Sequence, residues 1–494
     1  MRSKKIFAFL LAAAMLFAVF TVFASADEEV APDPGIDSGN AVVAYCLDDD
    51  QFLYLDRADD TVAPAVAAKL VAMMVISDLL KERGLDPATA EVTVTATAIS
   101  NSGDISDVRV PMMGFKAGNV YSAKDLISAT LVANANDACA ALACYGGELL
   151  GGNIITFIDK MNEKAGSLGL EHTHFANPTG LDAPTQVSTP REVAKIAAAF
   201  YRYNDLVRLS DVESFHFNNK TIVRSKNYLK SSYYVAGYLN KNAIGLIAGQ
   251  KDKHGDYCLI TASQKDGRTY IFVVMCATGM LVDADRKYSF TAGNAYDDMN
   301  KLIEWTRESF TYVTVAQTDR IIDELRVESG DSSDYVLAVP AENVEKLVVK
   351  SLADKITFKV SYDEETVYPT TVNGKTYNTV KAPVTRGQKL GTVTFYGSES
   401  ELVTVDLVAK DNVESNELRS AWGKIKEFLF GDIMLTVLKV IVAIIALYVV
   451  VALTMAAVRA FKRVNGGGKP KKPSEKRKKA PKPPKDEMRD TKEA

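Results

Sequence analysis

Residues 63–74 read Ala63-Pro64-Ala65-Val66-Ala67-Ala68-Lys69-Leu70-Val71-Ala72-Met73-Met74, and the apolar character continues to Leu80. An apolar run of this length predicts a helix that is buried on most of its faces. Pro64 suits the start of such a helix, because the N–H that proline lacks would have no helical partner there. Lys69 is the exception, since an ammonium group that is buried without partners is unfavourable. The run by itself therefore favours a lysine whose charged head reaches solvent.

The two ends of the chain have the composition of targeting segments. A basic start and an apolar run up to Phe23 precede the small residues Ala24-Ser25-Ala26, which predicts a secretory signal peptide over residues 1–26. Residues 433–458 are apolar enough to span a bilayer, and the basic segment 459–494 follows them. By the positive-inside rule we expect a single-pass cell-membrane protein with a cytoplasmic tail and extracytoplasmic main domains.

Charge is distributed unevenly along the 494 residues, of which 47% are hydrophobic. The tail carries a net charge of +9 and the signal peptide +3, so the remaining residues carry −16 of the total of −4. A region this acidic does not bind nucleic acid through bulk charge, and we expect no nucleic-acid partner. The lysines of the tail are expected near anionic lipids of the inner leaflet.

Cysteine and histidine usage argues against a disulfide framework and against a metal centre. The five cysteines are scattered, and the pattern favours small buried apolar residues for all of them. Cys258 and Cys276 flank a predicted hairpin, where they could face each other. The four histidines lack metal-ligand spacing, and no glycine-rich phosphate loop is present. We therefore expect no metal and no cofactor.

The predicted elements indicate an α+β fold for residues 27–310. Hairpin patterns occur near both ends of this region, at 41–55 and at 257–276, while amphipathic helices occupy the middle. Strands from both ends must meet in one sheet, which predicts an antiparallel sheet with helices. Residues 91–98 alternate as a further strand would.

The remainder of the chain divides into three predicted parts before the tail. Residues 311–411 contain short Val/Thr-rich strands and turn signals, which predict a small all-β domain. Residues 412–432 have the spacing of an amphipathic juxtamembrane helix. The transmembrane helix over 433–458 follows.

Three segments that are far apart in the sequence carry a common pattern. The first has Lys69 three residues after Val66, the second reads Asn134-Ala135-Asn136, and the third, Ile247-Ala248-Gly249, comes just before the hairpin. Their order, spacing and flanks resemble the serine-type D-Ala-D-Ala carboxypeptidases, which are the low-molecular-mass penicillin-binding proteins. The resemblance continues in Asn177-Pro-Thr-Gly-Leu-Asp182 and covers roughly residues 41–412.

This resemblance implies a penicillin-binding/β-lactamase-like transpeptidase domain whose catalytic motifs are degenerate. In the family, the motifs are Ser-x-x-Lys, Ser-x-Asn and Lys-Thr-Gly. At the matching positions the nucleophilic serine is replaced by Val66 while Lys69 is retained, and Asn134 replaces the second serine while Asn136 is retained. In the folded domain we expect Lys69 to be hydrogen-bonded to Asn134 or Asn136.

In the third motif, Ile247 and Ala248 replace the lysine and the threonine, and Gly249 is retained. No Ser-x-x-Lys occurs elsewhere in the chain. Because the serine and the carboxylate-binding lysine are both missing, we expect a pseudoenzyme. The hypothesis is a protein that binds or scaffolds at peptidoglycan or with cell-wall proteins.

Two alternatives stay open from the sequence. The chain could be an active carboxypeptidase that trims the terminal D-Ala of peptidoglycan stem peptides, or a transmembrane adaptor that signals through its basic tail. Labelling by a fluorescent penicillin separates the first alternative from the hypothesis, because labelling needs a nucleophile at the site.

Overall fold

The computed structural model describes residues 31–36, 40–104, 110–250, 257–277, 280–282, 288–290, 294–416, 418, 421–422, 425 and 432–465. The predicted signal peptide, most of the predicted juxtamembrane helix and the tail beyond residue 465 lie outside these residues.

The strands are β1 (Ala41–Cys46), β2 (Gln51–Asp56), β3 (Glu91–Thr93), β4 (Val120–Ser122), β5 (Ser214–Phe217), β6 (Thr221–Arg224), β7 (Ala243–Gln250), β8 (Tyr257–Lys265), β9 (Arg268–Ala277), β10 (Met280–Val282), β11 (Tyr288–Phe290), β12 (Phe310–Ala316), β13 (Asp323–Glu328), β14 (Tyr335–Pro340), β15 (Val344–Val349), β16 (Ile356–Tyr362), β17 (Val367–Val372), β18 (Lys375–Lys381), β19 (Lys389–Gly397) and β20 (Ser400–Ala409). The helices are α1 (Ala67–Glu82), α2 (Ala96–Ser100), α3 (Ala123–Val132), α4 (Asn136–Leu149), α5 (Ile154–Ser167), α6 (Pro190–Tyr201), α7 (Asn204–Ser210), α8 (Ala295–Ser309) and α9 (Asp432–Asn465).

The described residues fall into two compact units. The first contains the described residues up to Asp323 together with Ala338–Asp363 and Lys389–Val408. The second contains Glu324–Leu337, Glu364–Gln388 and the described residues from Ala409 onward.

A five-stranded antiparallel sheet forms the centre of the first unit. Its strand order is β2-β1-β9-β8-β7, so β1 pairs on one side with β2 and on the other with β9, which comes more than 200 residues later. The register pairs Val43 with Val273. The prediction that both ends of the region meet in one antiparallel sheet is confirmed.

Both faces of this sheet are covered, which explains why β1 is buried along its whole length. Alternate strand residues such as Val43 and Val273 join the residues of α1, α4 and α6 in one hydrophobic cluster, which we call the α1 core. The intervening residues, such as Val42 and Val274, join α8 in a second cluster, the α8 core. This alternation is the period of two that a strand imposes.

Helix α1 is the central helix of the α1 core. It packs against α4, α5 and α6, and all of its residues from Ala67 to Ile76 are buried, as its sequence predicts. The long apolar run thus forms a helix with core on almost every side.

The strand predicted over residues 91–98 is wrong in its second half. The strand ends at Thr93, and α2 begins at Ala96. The hydroxyl of Thr95 accepts a hydrogen bond of 3.0 Å from the backbone N–H of Ala98, which makes Thr95 the N-cap of a short helix. Threonine fits both a strand and an N-cap, so the alternating pattern did not decide between them.

The region that follows α8 is built from β-strands, as predicted. In the first unit β12 pairs with β15, and β16, β19 and β20 form consecutive antiparallel pairs. In the second unit β17 pairs antiparallel with β18, which pairs in parallel with β13.

Helix α9 contains a candidate membrane span. Within it, residues Thr436–Phe461 have a mean hydropathy of 2.8, and their side chains are exposed. By length and composition this helix can cross a bilayer. The bent pair of α4 and α5 passes the same test of composition, but both helices contribute to the α1 core.

Candidate functional site

Val66 lies at the N-cap of α1, where the matching family position holds the nucleophile. Its φ is −64°, its side chain makes no capping hydrogen bond, and only 2% of its surface is exposed. The preceding residue, Ala65, has a left-handed φ of +48°. The side chain of Val66 is a hydrocarbon, so position 66 has no oxygen, nitrogen or sulfur in its side chain that could attack a carbonyl.

The backbone N–H of Val66 faces a cysteine. It lies near the sulfur of Cys258 on β8, where it favours the thiolate form of that side chain. Burial nevertheless raises the pKa of the Cys258 thiol well above its ordinary value. Cys258 is therefore protonated at neutral pH, which makes it a slower nucleophile than a thiolate.

Lys69 lies one turn into α1 and is held by a single residue. Its Nζ donates to the side-chain oxygen of Asn134 at 2.6 Å and to the backbone oxygen of Asn134 at 3.0 Å. Lys69 is 2% exposed, and its burial lowers the pKa of the ammonium to about 8, although Cys139 and Asp137 oppose the change. The lysine is therefore buried and held by acceptors rather than extended to solvent.

Asn134 can offer both oxygens because of its backbone conformation. It follows the C-cap of α3 with a left-handed φ of +55°. Asparagine adopts this region more readily than most residues with a side chain. The sequence expectation was a hydrogen bond from Lys69 to Asn134 or Asn136, and the structure shows Asn134.

Asn136 and Asp137 hold neighbouring backbone instead. Asn136 donates from its side-chain nitrogen to the carbonyl of Ser102 at 3.0 Å. Asp137, which the motif comparison did not single out, accepts hydrogen bonds from the backbone N–H groups of Met113, Gly114 and Phe115. A carboxylate with several backbone donors is a strong local clamp, so this residue shapes the loop before α3.

The third motif lies on β7, and its side chains alternate between the two cores. Ile247 pairs with Ile260 and belongs to the α1 core, as Val66 does. Ala248 pairs with Leu259 and belongs to the α8 core, so its methyl group points to the other face of the sheet. Both residues are buried, at 1% and 3% exposure. Val66 and Ile247 thus share one core, while the side chain of Ala248 belongs to the other.

Gly249 is the point where the three motifs meet. A Cβ atom at this position would lie 2.0 Å from Nδ2 of Asn134 and 3.1 Å from Cγ1 of Val66. Any larger residue here would have to displace the side-chain amide of Asn134. The structure thus brings Val66, Lys69, Asn134 and Gly249 together.

The Asn177–Asp182 segment supports the entry to α1. The side-chain oxygen of Asn177 accepts hydrogen bonds from the backbone N–H groups of Gly180 and Leu181. Gly180 lies so close to α1 that a Cβ atom there would be 2.0 Å from the carbonyl oxygen of Ala65. This supporting role was missed at the sequence level, although the segment itself was recognised.

A small cavity lies beside this site. It has a volume of about 260 Å³ and is lined by Thr61, Val62, Ala63, Ala65, Tyr257, Cys258, Met275 and Cys276. Pockets that take drug-sized ligands usually have about 300–1,000 Å³, so this cavity is below their range. Lys69, Asn134 and Ile247 are not among its lining residues.

Burial of Lys69 predicts a specific pH dependence of stability. The unfolded lysine keeps its ordinary pKa of 10.5, whereas the folded one has a pKa of about 8. Between these values the unfolded state binds more protons, so stability rises with pH. We expect the stability of the native protein relative to Lys69→Met to increase by roughly 2 kcal/mol from pH 7.5 to 9.5.

The measurement is thermal unfolding of both proteins across this pH range. The difference between them removes the contribution of the tyrosines, which titrate at higher pH. Parallel pH curves for the two proteins would show that the ammonium of Lys69 is not destabilised by burial.

The fold and the site together define a class of protein. A five-stranded antiparallel sheet covered on both faces, with a buried helix that carries a lysine one turn from its start, is the arrangement of penicillin-interacting serine enzymes. A family model described as D-alanyl-D-alanine carboxypeptidase matches residues 27–279. A second, described as the C-terminal domain of penicillin-binding protein 5, matches residues 310–415. The chain belongs to the D-alanyl-D-alanine carboxypeptidase family.

Similar proteins cover most of the chain. D-alanyl-D-alanine carboxypeptidase DacC of Escherichia coli is 26% identical over 417 residues, which are 84% of this chain and 93% of DacC. DacF of Bacillus subtilis is 21% identical over a region that covers 74% of this chain and 84% of DacF. Among solved structures, DacD from Francisella tularensis has a TM-score of 0.55 at 18% identity and covers 79% of this chain and 98% of its own. Penicillin binding protein 6B from Escherichia coli has a TM-score of 0.54 at 22% identity, with coverages of 77% and 98%.

Proposed function

We propose that this family member acts at peptidoglycan by binding or scaffolding and forms no acyl-enzyme. The observation that carries the proposal is Val66, a buried hydrocarbon side chain at the position of the nucleophile. Catalysis in the family begins with attack by the serine on the D-Ala-D-Ala carbonyl. In a serine protease, loss of the nucleophile alone lowers kcat by about 10⁶-fold.

Substrate positioning is weakened at the same time. In the family, the lysine and threonine of the third motif offer a cation and a hydroxyl to the terminal carboxylate of the substrate. Ile247 and Ala248 offer neither, and Ile247 is enclosed in the α1 core. A hydrogen bond to a charged group is worth about 1.5–3 kcal/mol, so the loss of this contact alone weakens positioning of the D-Ala-D-Ala terminus.

The retained residues have a structural role in this proposal. Lys69 is engaged by both oxygens of Asn134, and Asn136 by the carbonyl of Ser102. The first contact joins α1 to the segment after α3, and the second joins the start of α4 to the segment after α2, both without a substrate. The lysine is kept because its removal would leave the buried oxygens of Asn134 without a donor.

The proposed topology follows from the segments at the two ends of the chain. Helix α9 anchors the protein in the cell membrane, the main domains are extracytoplasmic, and the basic tail is cytoplasmic. The proposed partners are peptidoglycan or cell-wall proteins. The proposed boundaries are a signal peptide at 1–26, a carboxypeptidase-like domain at 27–310, a β domain at 311–411, a juxtamembrane helix at 412–432, a transmembrane helix at 433–458 and a tail at 459–494.

Incubation with benzylpenicillin tests the loss of chemistry. We expect the intact mass of the protein to stay unchanged, because no side chain at position 66 can open the β-lactam ring. A relative such as DacC, treated in parallel, serves as the control. A stoichiometric adduct on this protein would support the active-carboxypeptidase alternative instead.

Co-sedimentation with purified peptidoglycan tests the binding role. We expect the protein to sediment with the polymer both before and after the terminal D-Ala residues have been removed, because the carboxylate-binding side chains are absent. A protein that stays in the supernatant would contradict the peptidoglycan role. A phenotype that depends only on residues 462–494 would favour the adaptor alternative.

A further inference from the structure

Two cysteines face each other across neighbouring strands beside the N–H of Val66. Strands β8 and β9 pair Tyr257 with Ala277 and Leu259 with Val274, and the register shifts between these pairs. Cys258 therefore lies opposite a two-residue step that consists of Met275 and Cys276. This is the geometry of a β-bulge, and Cys276 has a left-handed φ of +56°.

The bulge directs both thiols to the same side of the sheet. Cys258 is a member of the α1 core, Cys276 packs against that core, and both residues line the cavity of about 260 Å³. Residues opposite each other in antiparallel strands have Cα atoms about 4.5–5.5 Å apart. This separation lies within the range of about 4.4–6.8 Å that a disulfide bond requires.

The two thiols differ in access. Cys258 is 2% exposed, whereas Cys276 is partly exposed, and both are present as thiols. Cys276 also lies within electrostatic reach of the guanidinium of Arg57. A nearby cation and access to solvent favour the reactive thiolate form. Cys276 is thus suited to react first, and Cys258 to react second.

We propose that Cys258 and Cys276 are a redox-modification site, at which the thiol pair converts into a disulfide by exchange with a low-molecular-mass disulfide. This inference does not depend on the proposed loss of catalysis or on peptidoglycan binding, and it shares only the extracytoplasmic location with the proposed function. It differs from the sequence expectation, which favoured inert apolar roles for both residues. The predicted extracytoplasmic location is a compartment in which disulfides persist.

The exchange proceeds in two balanced steps. The thiolate of Cys276 attacks one sulfur of the small disulfide, forms a mixed disulfide and releases one small thiolate. The thiolate of Cys258 then attacks the Cys276 sulfur, closes the protein disulfide and releases the second small thiolate. The two protons of the cysteine thiols go to the two released thiolates, so the protein loses two electrons and the small disulfide gains them.

Closure of the bond changes the surroundings of Val66. The sulfur of Cys258, which lies near the N–H of Val66, would be fixed to β9 beside the small cavity. The bond would join the open ends of β8 and β9, opposite the turn between Lys265 and Arg268. We therefore expect the oxidised protein to unfold at a higher temperature than the reduced one.

The test uses the full chain in detergent micelles with oxidised glutathione as the small disulfide. After the reaction, remaining thiols are alkylated under denaturing conditions and the protein is mapped by mass spectrometry. Before alkylation, we expect the intact protein to lose about 2 Da, which is the mass of two hydrogens. After alkylation, we expect the map to contain one cross-linked peptide pair with Cys258 and Cys276. Cys46, Cys139 and Cys144 should all be alkylated.

Two variants separate the roles of the cysteines. Cys258→Ser should stop at a stable glutathione adduct on Cys276, and Cys276→Ser should gain neither an adduct on Cys258 nor a disulfide. Cys144→Ser is the matched control, and its disulfide should form as in the native protein. Full alkylation of both cysteines in the native protein after oxidation, or a mixed disulfide that never resolves, would overturn the proposal.

Discussion

A variant with Val66→Ser, Asn134→Ser, Ile247→Lys and Ala248→Thr is expected to be acylated by benzylpenicillin at least about 100-fold faster than Val66→Ser alone. The single substitution restores a nucleophile but leaves the substrate carboxylate without a cation. A hydrogen bond to a charged group contributes about 1.5–3 kcal/mol, which is one to two orders of magnitude in rate if it acts in the transition state. The hydroxyl that Asn134→Ser introduces assists proton transfer, which contributes about 10²-fold or more in rate.

The state of Lys69 is the second reason for this expectation. In the native protein both oxygens of Asn134 accept hydrogen bonds from its ammonium. Asn134→Ser removes the side-chain acceptor at 2.6 Å and leaves Nζ able to accept a proton from the new hydroxyl at position 66. Because burial lowers the pKa of Lys69 to about 8, a large fraction of neutral amine is available at mildly alkaline pH.

The measurement is the rate of adduct formation by intact-protein mass spectrometry for the native chain, the single variant and the fourfold variant. Thermal unfolding of each protein is the control, since Ile247→Lys introduces a cation at a position that is 1% exposed. Equal acylation rates for the two variants, with both folded, would show that the second and third motifs contribute little.

Gly180→Ala is expected to destabilise the protein far more than Gly151→Ala. The two glycines have nearly equal left-handed φ values, +82° and +79°. A Cβ atom at Gly151 meets no atom within 4 Å, whereas one at Gly180 would lie 2.0 Å from the carbonyl oxygen of Ala65. Gly151→Ala therefore measures the backbone cost alone, about 1–2 kcal/mol.

Relief of the additional contact requires a shift of backbone, because the carbonyl of Ala65 is held at the entry to α1. We expect Gly180→Ala to lower the free energy of unfolding by at least about 2 kcal/mol more than Gly151→Ala does. This difference is in the range found for overpacked cores. The corresponding drop in melting temperature is about 3 °C or more for a unit of this size. Similar melting temperatures for the two variants would mean that the Asn177–Asp182 segment moves without cost and does not support Val66.

Much of the site was accessible from the sequence because its signals are local. The spacing of Lys69 from Val66 is set by one helical turn, and the apolar run around them predicts burial of that helix. The glycine of the third motif is retained at Gly249, and the structure places it against the side chain of Asn134. Two hairpin patterns at opposite ends of one region predicted an antiparallel sheet that joins both ends, and β1 pairs with β9 in that sheet.

Other features depend on contacts between distant segments. Residues 91–98 alternate like a strand, but the hydroxyl of Thr95 caps a helix once β3 pairs with β4. Lys69 had two asparagines as possible partners, and the left-handed conformation of Asn134 selects between them. The side chain of Ala248 lies on the face of the sheet opposite to Val66, because the register of β7 on β8 places it there.

By itself, the sequence determined the family, the buried lysine helix and the absence of a hydroxyl at position 66, since these depend on residue identity and short-range spacing. The tertiary structure alone decided which side chains share a face, which acceptor holds Lys69, and that Cys258 and Cys276 lie together beside the N–H of Val66. The physical reason is that strand register and bulges arise from pairing between distant segments. A shift of one residue in that pairing moves a side chain from one core to the other.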